Sequence, residues 1–77
     1  MENKNDNALL GLKKIRKQKK LNQLKVAMDL NISREAISFY ENGRRSPDIQ
    51  MLKRFSEYFN VSIDYLIYGH EYNETRK

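Results

Sequence analysis

Residues 23–42 read QLKVAMDLNISREAISFYEN and contain two short helical patterns in succession. The first pattern covers residues 23–30 and the second covers residues 34–42, each with apolar residues at the spacing of one helix face. The residues predicted to face the interior are Val26, Ala27, Leu30, Ala36, Ile37 and Tyr40. The pattern therefore predicts that the second helix packs its apolar residues onto the first helix and onto the rest of the core.

The link between these helices has the residues that a close helix–helix turn requires. Asn31 suits a positive φ, because asparagine adopts this backbone conformation more readily than other non-glycine residues. Ile32 is placed to plug the turn, and Ser33 is a good N-cap for the second helix. Ala27 is small where the helices cross. Together these features predict a helix-turn-helix motif.

Further helices are predicted on both sides of the motif. An amphipathic helix is expected from Asn7 to about Gln18, with Asn7 as its N-cap. Asp48 is the expected N-cap of a fourth helix, and Ser62 caps a short last helix that stops at Gly69. The apolar residues expected to bury these helices include Leu9, Leu12, Ile15, Ile49, Leu52, Phe55 and Phe59. No alternating strand pattern competes, so the predicted fold class is all-α.

The length of the chain limits the number of domains, and its charge indicates which class of partner it binds. The 77 residues fit one small domain, expected at residues 8–69 between a flexible leader, 1–7, and a polar flexible tail, 70–77. Residues 8–45 hold ten basic residues and three acidic ones. Such a basic half suggests a polyanion, with nucleic acid first and an anionic membrane surface second. A solvated, lysine-rich surface explains the same charges equally well.

Other classes of protein find little support in the composition. The chain has no cysteine, which excludes disulfides and thiolate metal sites and allows a cytoplasmic location. The polar start predicts no signal peptide, and the sequence contains no apolar run of the ~20 residues that span a bilayer. The lone histidine, His70, lies in the tail, and no phosphate-binding loop or metal-ligand spacing is present. We therefore expect no enzymatic activity, no metal, no cofactor and no small-molecule ligand.

Residues 9–69 resemble the Cro/C1-type helix-turn-helix family, also called lambda-repressor-like or Xre-type. The segments that carry the resemblance are the helix with Leu12, Ile15 and Arg16, LNQ at 21–23, Val26–Ala27, IS at 32–33, IS at 37–38, ENGRRSP at 41–47 and VSIDYLIYG at 61–69. Two positions depart from the family pattern: Asn22 replaces threonine or serine, and Asn31 replaces glycine. Both substitutes can perform the same physical role, as N-cap and as positive-φ residue. The resemblance implies a five-helix bundle with the helix-turn-helix in helices 2 and 3.

The resemblance also implies roles for individual residues. In this family the third helix lies in the DNA major groove. By position match, the base-reading residues are Ser33, Arg34, Glu35, Ser38 and Phe39. The residues matched to phosphate contacts are Gln23, Asn42, Arg44, Arg45, Lys13 and Lys17. Arg16 and Glu41 match a structural ion pair.

Simpler interpretations stay open for several of these residues. Arg34 and Glu35 also fit an exposed helix surface, and Gln23 fits an ordinary helix start. Phe39 fits either contact with a thymine methyl or a partly buried edge position. Tyr58, Ile67 and Tyr68 exceed what the core needs and are expected at a homodimer interface, with ordinary packing as the alternative.

The expected function is sequence-specific binding of double-stranded DNA by a small transcriptional regulator, with repression as the expected sense. A homodimer on two half-sites is expected, because a single helix-turn-helix makes few base contacts. The alternative is a protein-interaction module of the same fold, such as an antitoxin or an accessory subunit. Membrane association through the lysine-rich first helix is disfavoured, because the core needs the few apolar residues of that helix.

Overall fold

The computed structural model describes residues 8–71, which contain five α-helices joined by short links. They are α1 (Leu10–Gln18), α2 (Gln23–Leu30), α3 (Arg34–Asn42), α4 (Ile49–Phe59) and α5 (Ile63–Tyr68). Since these residues include no strand, the predicted all-α class is confirmed. The expected leader, 1–7, and residues 72–77 of the expected tail lie outside the described residues. No helix within the described range is long and apolar enough to cross a membrane.

Four of the five helices begin at a polar N-cap whose side chain satisfies a free backbone N–H group. In each case the side-chain oxygen accepts a hydrogen bond of 2.8–3.0 Å from the residue three positions later. The N-caps are Asn22, Ser33, Asp48 and Ser62, as predicted. Such caps stabilise a helix by about 1 kcal/mol each, and here they fix where α2 to α5 start.

The start of α1 differs from the prediction. The helix begins at Leu10, and Leu9 occupies the N-cap position without a side-chain capping bond. Asn7, the predicted N-cap, lies outside the described residues. Leu9 is extended and buried, and its N–H donates to the Tyr40 carbonyl at 3.1 Å. This contact with α3 draws the chain out of the helical conformation before Leu10.

Residues in the left-handed backbone conformation end helices α2 to α5 and reverse the direction of the chain. Asn31 has φ 60°, as predicted, and Asn60, Gly43 and Gly69 also have positive φ at the ends of α2 to α5. Lys20 also has φ 60°, in the link after α1, and nothing in its residue type predicted this. The reversal lets the Leu21 N–H donate to the Arg16 carbonyl at 3.1 Å.

The core is formed by one apolar stripe from each helix. The largest side chains with almost no exposure are Phe55, Phe59, Leu12, Ile37, Leu66 and Val26. Ile49, predicted in the same stripe, is 64% exposed, so that prediction is wrong. At 3.6 residues per turn, Ile49 points roughly 90° away from the direction shared by Leu52, Phe55 and Phe59. It also stands at the first position of α4.

Gly11 lets α1 and α5 approach each other closely. A Cβ atom at Gly11 would lie 1.7 Å from the carbonyl oxygen of Tyr65. Only glycine fits at this point, because any other residue would place its side chain inside the α5 backbone. The contact packs α5 directly against α1.

Candidate nucleic-acid interface

The turn between α2 and α3 is fixed by both backbone and side chains. Ala27 is 1% exposed where α2 meets α3. The N–H of Ile32 donates to the Ala27 carbonyl at 3.0 Å, and the Ile32 side chain packs against the core. A larger residue at 27 would separate the helices, so the small residue and the left-handed Asn31 together set the angle at which α3 leaves α2.

The outer face of α3 carries the predicted base-reading residues. Ser33, Arg34 and Glu35 are exposed, and Ser38 and Phe39 are half-buried. Ala36, Ile37 and Tyr40 are buried on the opposite side, where the Tyr40 ring meets Phe55 edge to face. The helix is thus held by one face while the other face is presented outward.

A buried ion pair joins α1 to the last turn of α3. Arg16 Nε lies 2.6 Å from Glu41 Oε2, and Arg16 Nη2 lies 3.0 Å from Glu41 Oε1. Both residues are less than 10% exposed. A third guanidinium nitrogen, Nη1, donates to the Leu21 carbonyl at 2.9 Å. The structure therefore brings the predicted pair together, and the Arg16 guanidinium also holds the link before α2.

Gln23 extends this pair to the first residue of α3. Its Nε2 donates to Glu41 Oε1 at 3.1 Å, and its Oε1 accepts from Arg34 Nη1 at 3.3 Å. The contact with Glu41 orients the amide, so that its oxygen faces Arg34. A continuous set of hydrogen bonds thus runs from the buried Arg16 to the exposed Arg34.

The polar and basic residues after α3 surround its C-terminal end. Asn42 donates from Nδ2 to Ser38 Oγ at 3.3 Å, and Arg44 and Arg45 are exposed. The Arg45 guanidinium carbon lies 5.2 Å from the centre of the Phe39 ring. On α1, Lys13 and Lys17 are exposed one helical turn apart.

The three residues predicted at a dimer interface have different surroundings. Tyr58 is half-buried: its ring packs edge to face on Phe59 at 4.8 Å and its hydroxyl donates to Asp29. Ile67 is half-buried and packs against the core. Tyr68 is 43% exposed, and its ring stacks near His70. Tyr58 therefore already joins α4 to α2, and Tyr68 is the most open of the three.

The hydrogen bond between Tyr58 and Asp29 contributes to a pKa shift of both side chains. Burial, together with the hydrogen bond to Asp29, raises the pKa of Tyr58 to about 12. The bond from Tyr58, aided by Lys25, lowers the pKa of the Asp29 carboxyl. Lys25 Nζ lies 3.3 Å from the Asp29 carboxylate. The two shifts agree in sign with a neutral phenol that donates to an ionised carboxylate.

Two basic residues act on helix ends in a way that the sequence did not reveal. Arg54 donates to the carbonyl of Leu30 at the C-terminus of α2. Lys14 Nζ donates to the Gly69 carbonyl at 2.9 Å and lies over the Tyr65 ring. Cations at helix C-termini neutralise the negative end of the dipole. Their partners are 24 and 55 residues away, so no local pattern marks these roles.

Comparison with known proteins identifies the family of this region of the chain. The model of the helix-turn-helix family, Cro/C1 type, matches residues 12–66. The chain is 51% identical over 63 residues to the HTH-type transcriptional regulator YqaE of Bacillus subtilis, covering 82% of this chain and 53% of that protein. It is 42% identical to the HTH-type transcriptional activator BcrR of Enterococcus faecalis, covering 78% and 29%.

A further relative is the HTH-type transcriptional regulator ImmR of Bacillus subtilis, 39% identical, with 73% of this chain and 44% of that protein covered. The chain thus spans about half the length of the first of these relatives and less of the other two. No solved structure matches it. The matched region includes the turn, the outward face of α3 and the Arg16–Glu41 pair, and the chain therefore belongs to the Cro/C1-type helix-turn-helix family of DNA-binding transcriptional regulators.

Proposed function

We propose that this protein binds specific sequences of double-stranded DNA by placing α3 in the major groove. The observation that carries the proposal is the division of α3 into a buried face and an outward face of polar residues, with basic residues at its end. An α-helix with its side chains is about 10–12 Å across, and the major groove is about 12 Å wide. The outward face then lies opposite the edges of the bases.

The chemistry of the outward residues fits base recognition. Arg34 has five N–H donors, of which Gln23 engages one nitrogen, so a bidentate contact to guanine O6 and N7 remains open. Glu35 is exposed and accepts from cytosine N4 in this arrangement. Ser33 and Ser38 complete the base-reading set. Because Gln23, itself bonded to Glu41, holds Arg34, this contact forms with less loss of side-chain freedom.

The phosphate contacts are assigned to residues on both sides of α3. They are Gln23, Asn42, Arg44, Arg45, Lys13 and Lys17. The second amide hydrogen of Gln23 is available for a phosphate oxygen, next to the N-terminus of α2. Each basic residue that neutralises a phosphate releases counterions, so binding weakens steeply as salt rises.

We propose a homodimer on two half-sites, roughly one helical turn or 34 Å apart. Tyr68 and Ile67 are assigned to the interface, with Tyr58 at its edge. Leu10 is 59% exposed and lies next to Gly69, so it extends the same apolar surface. Two-fold symmetry would place two copies of α3 in successive major grooves.

We propose repression as the sense of regulation, since a protein bound across a promoter excludes other proteins from it. One relative is named an activator. A reporter with the selected operator placed over the promoter or upstream of it separates repression from activation.

Selection of bound sequences from random duplex DNA tests the proposal. A two-fold repeat of one half-site is expected, and Arg34→Ala should remove the preference at one base pair of each half. Lys53→Ala, a charge removed from an exposed position of α4, serves as the control. Binding that shows no sequence preference would refute base reading by α3.

A protein-interaction module is the second candidate. Leu24 and Met28 lie one turn apart on α2 and are 53% and 68% exposed. Exposed apolar residues at this spacing are typical of a helix that contacts another protein. This candidate gains if the purified protein binds duplex DNA without sequence preference.

A further inference from the structure

Phe39 holds the backbone of the segment that follows α3. Its carbonyl oxygen accepts from the N–H of Gly43, the C-cap residue, and from those of Arg44 at 2.9 Å and Arg45 at 3.4 Å. Gly43 has φ 81°, which turns the chain back toward the end of the helix. These hydrogen bonds hold the backbone of Arg45 close to that of Phe39.

The side chains of the same two residues are also in contact. The Arg45 guanidinium carbon lies 5.2 Å from the centre of the Phe39 ring, inside the range of about 6 Å for a cation–π contact. A guanidinium stacked on a ring by its face keeps the N–H groups at its edge available for hydrogen bonds. Phe39 is half-buried on α3, while Arg45 is exposed in the segment that follows the helix.

Arg44 gives an internal comparison. It is adjacent to Arg45, carries the same charge and is also exposed. Of these two arginines, only Arg45 lies over an aromatic ring of the described residues. The difference between the neighbouring arginines is thus the contact with Phe39.

We propose that Phe39 is a positioning residue for Arg45: its ring holds the guanidinium where the end of α3 meets the DNA backbone. This inference rests on the proposed DNA binding. It gives Phe39 a role in affinity, in place of contact with a thymine methyl. An arginine already ordered on a ring loses less side-chain freedom when it binds a phosphate.

A double-mutant cycle on a selected operator duplex tests the proposal. Phe39→Leu should weaken binding about two- to five-fold on every duplex, the range of an exposed cation–π contact. The loss should vanish in an Arg45→Ala background and persist in an Arg44→Ala background. Phe39→Tyr keeps the ring and should bind like the wild type. Phe39→Met is a second ring-free variant of similar volume, in case Phe39→Leu folds poorly.

Two results would overturn the proposal. One is a change of preference at a single base pair in Phe39→Leu, which would make Phe39 a base-reading residue. The other is an equal loss of affinity with and without Arg45, which would mean that the two residues are not coupled.

A second measurement needs no DNA and so separates this proposal from DNA binding itself. The NMR signal of the Arg45 Nε–H group should carry a ring-current shift that is lost in Phe39→Leu and kept in Phe39→Tyr. Identical Arg45 signals in the wild type and Phe39→Leu would overturn the positioning role. If the wild type binds no duplex, DNA binding fails while this signal still decides whether Phe39 positions Arg45.

Discussion

Arg16 and Glu41 form a two-point ion pair, 2.6 Å and 3.0 Å between nitrogen and oxygen, with both side chains buried. The pair joins residues 25 positions apart. Glu41 also bonds Gln23, which in turn bonds Arg34, so a series of hydrogen bonds leads from the buried pair to Arg34. A structural contact of the core is thereby connected to the outward face of α3.

Removing one partner of this ion pair should lower the stability of the fold. Glu41→Ala leaves the Arg16 guanidinium buried without its counter-charge, and we expect a loss of about 3–5 kcal/mol in the free energy of unfolding. The double variant Arg16→Met with Glu41→Leu removes both charges and should recover most of that stability. Urea denaturation measures the three proteins. A Glu41→Ala variant that unfolds like the wild type would show that the pair does not stabilise the fold.

The Tyr58–Asp29 bond should make stability depend on pH at both ends of the scale. The unfolded tyrosine ionises near pH 10 while the pKa of folded Tyr58 is about 12, so the stability it contributes falls as pH rises from 10 to 12. The pKa of folded Asp29 is lowered, so its contribution is present above the ordinary pKa of 3.8 and is lost as pH falls through the folded value.

Tyr58→Phe tests both effects. The ring remains in place, and the difference in melting temperature between this variant and the wild type should shrink toward pH 12. The pKa of Asp29, followed by NMR, should move up toward its ordinary value in the variant. An unchanged Asp29 titration would contradict the hydrogen bond.

Gly11→Ala should strongly destabilise the protein. The new Cβ would lie 1.7 Å from the Tyr65 carbonyl oxygen, so α1 and α5 must separate. We expect a loss of at least about 3 kcal/mol, the upper part of the usual range for overpacking. Gly69→Ala is the matched control, because its new Cβ would lie 3.6 Å from the Leu10 Cβ, an ordinary contact distance. Only the left-handed backbone conformation opposes this substitution, and we expect it to lower the free energy of unfolding by about 1–2 kcal/mol. Thermal unfolding should rank the two variants in this order.

Arg34 and Arg44 should affect DNA binding in different ways. Arg34→Ala should reduce discrimination at one base pair by about 1–3 kcal/mol and leave the other positions unchanged. Arg44→Ala should weaken binding to all sequences alike and lower the slope of log affinity against log salt by about one. Fluorescence anisotropy on matched duplexes at several salt concentrations measures both. Equal effects of Arg34→Ala on all sequences would assign Arg34 to the backbone instead.

Tyr68→Glu should shift the protein toward the monomer. A charge on the proposed apolar interface opposes burial of that surface in the dimer. Ile49→Glu is the control, since Ile49 is another exposed apolar residue and lies on α4. Sedimentation at micromolar concentration should show dimers for the wild type and Ile49→Glu, and monomers for Tyr68→Glu. A wild type that stays monomeric with and without DNA would refute the dimer.

The residues of the outward face were predictable because they follow from the helix register of a recognisable motif. Ser33, Arg34 and Glu35 are exposed simply because Ile37 and Tyr40 are buried. The contact of Phe39 with Arg45 was not predictable, since a half-buried ring has two open interpretations until its neighbours are known.

The sequence by itself determined the features that depend on residues within a few positions of one another. A serine or asparagine caps a backbone N–H three residues away, and Asn31 adopts a left-handed turn from its own conformational preference. The tertiary structure decided where segments distant in the chain meet. The start of α1 at Leu10 and the fit of Gly11 against Tyr65 are of this kind. Each depends on the packing of one helix against another, and local spacing carries no information about that packing.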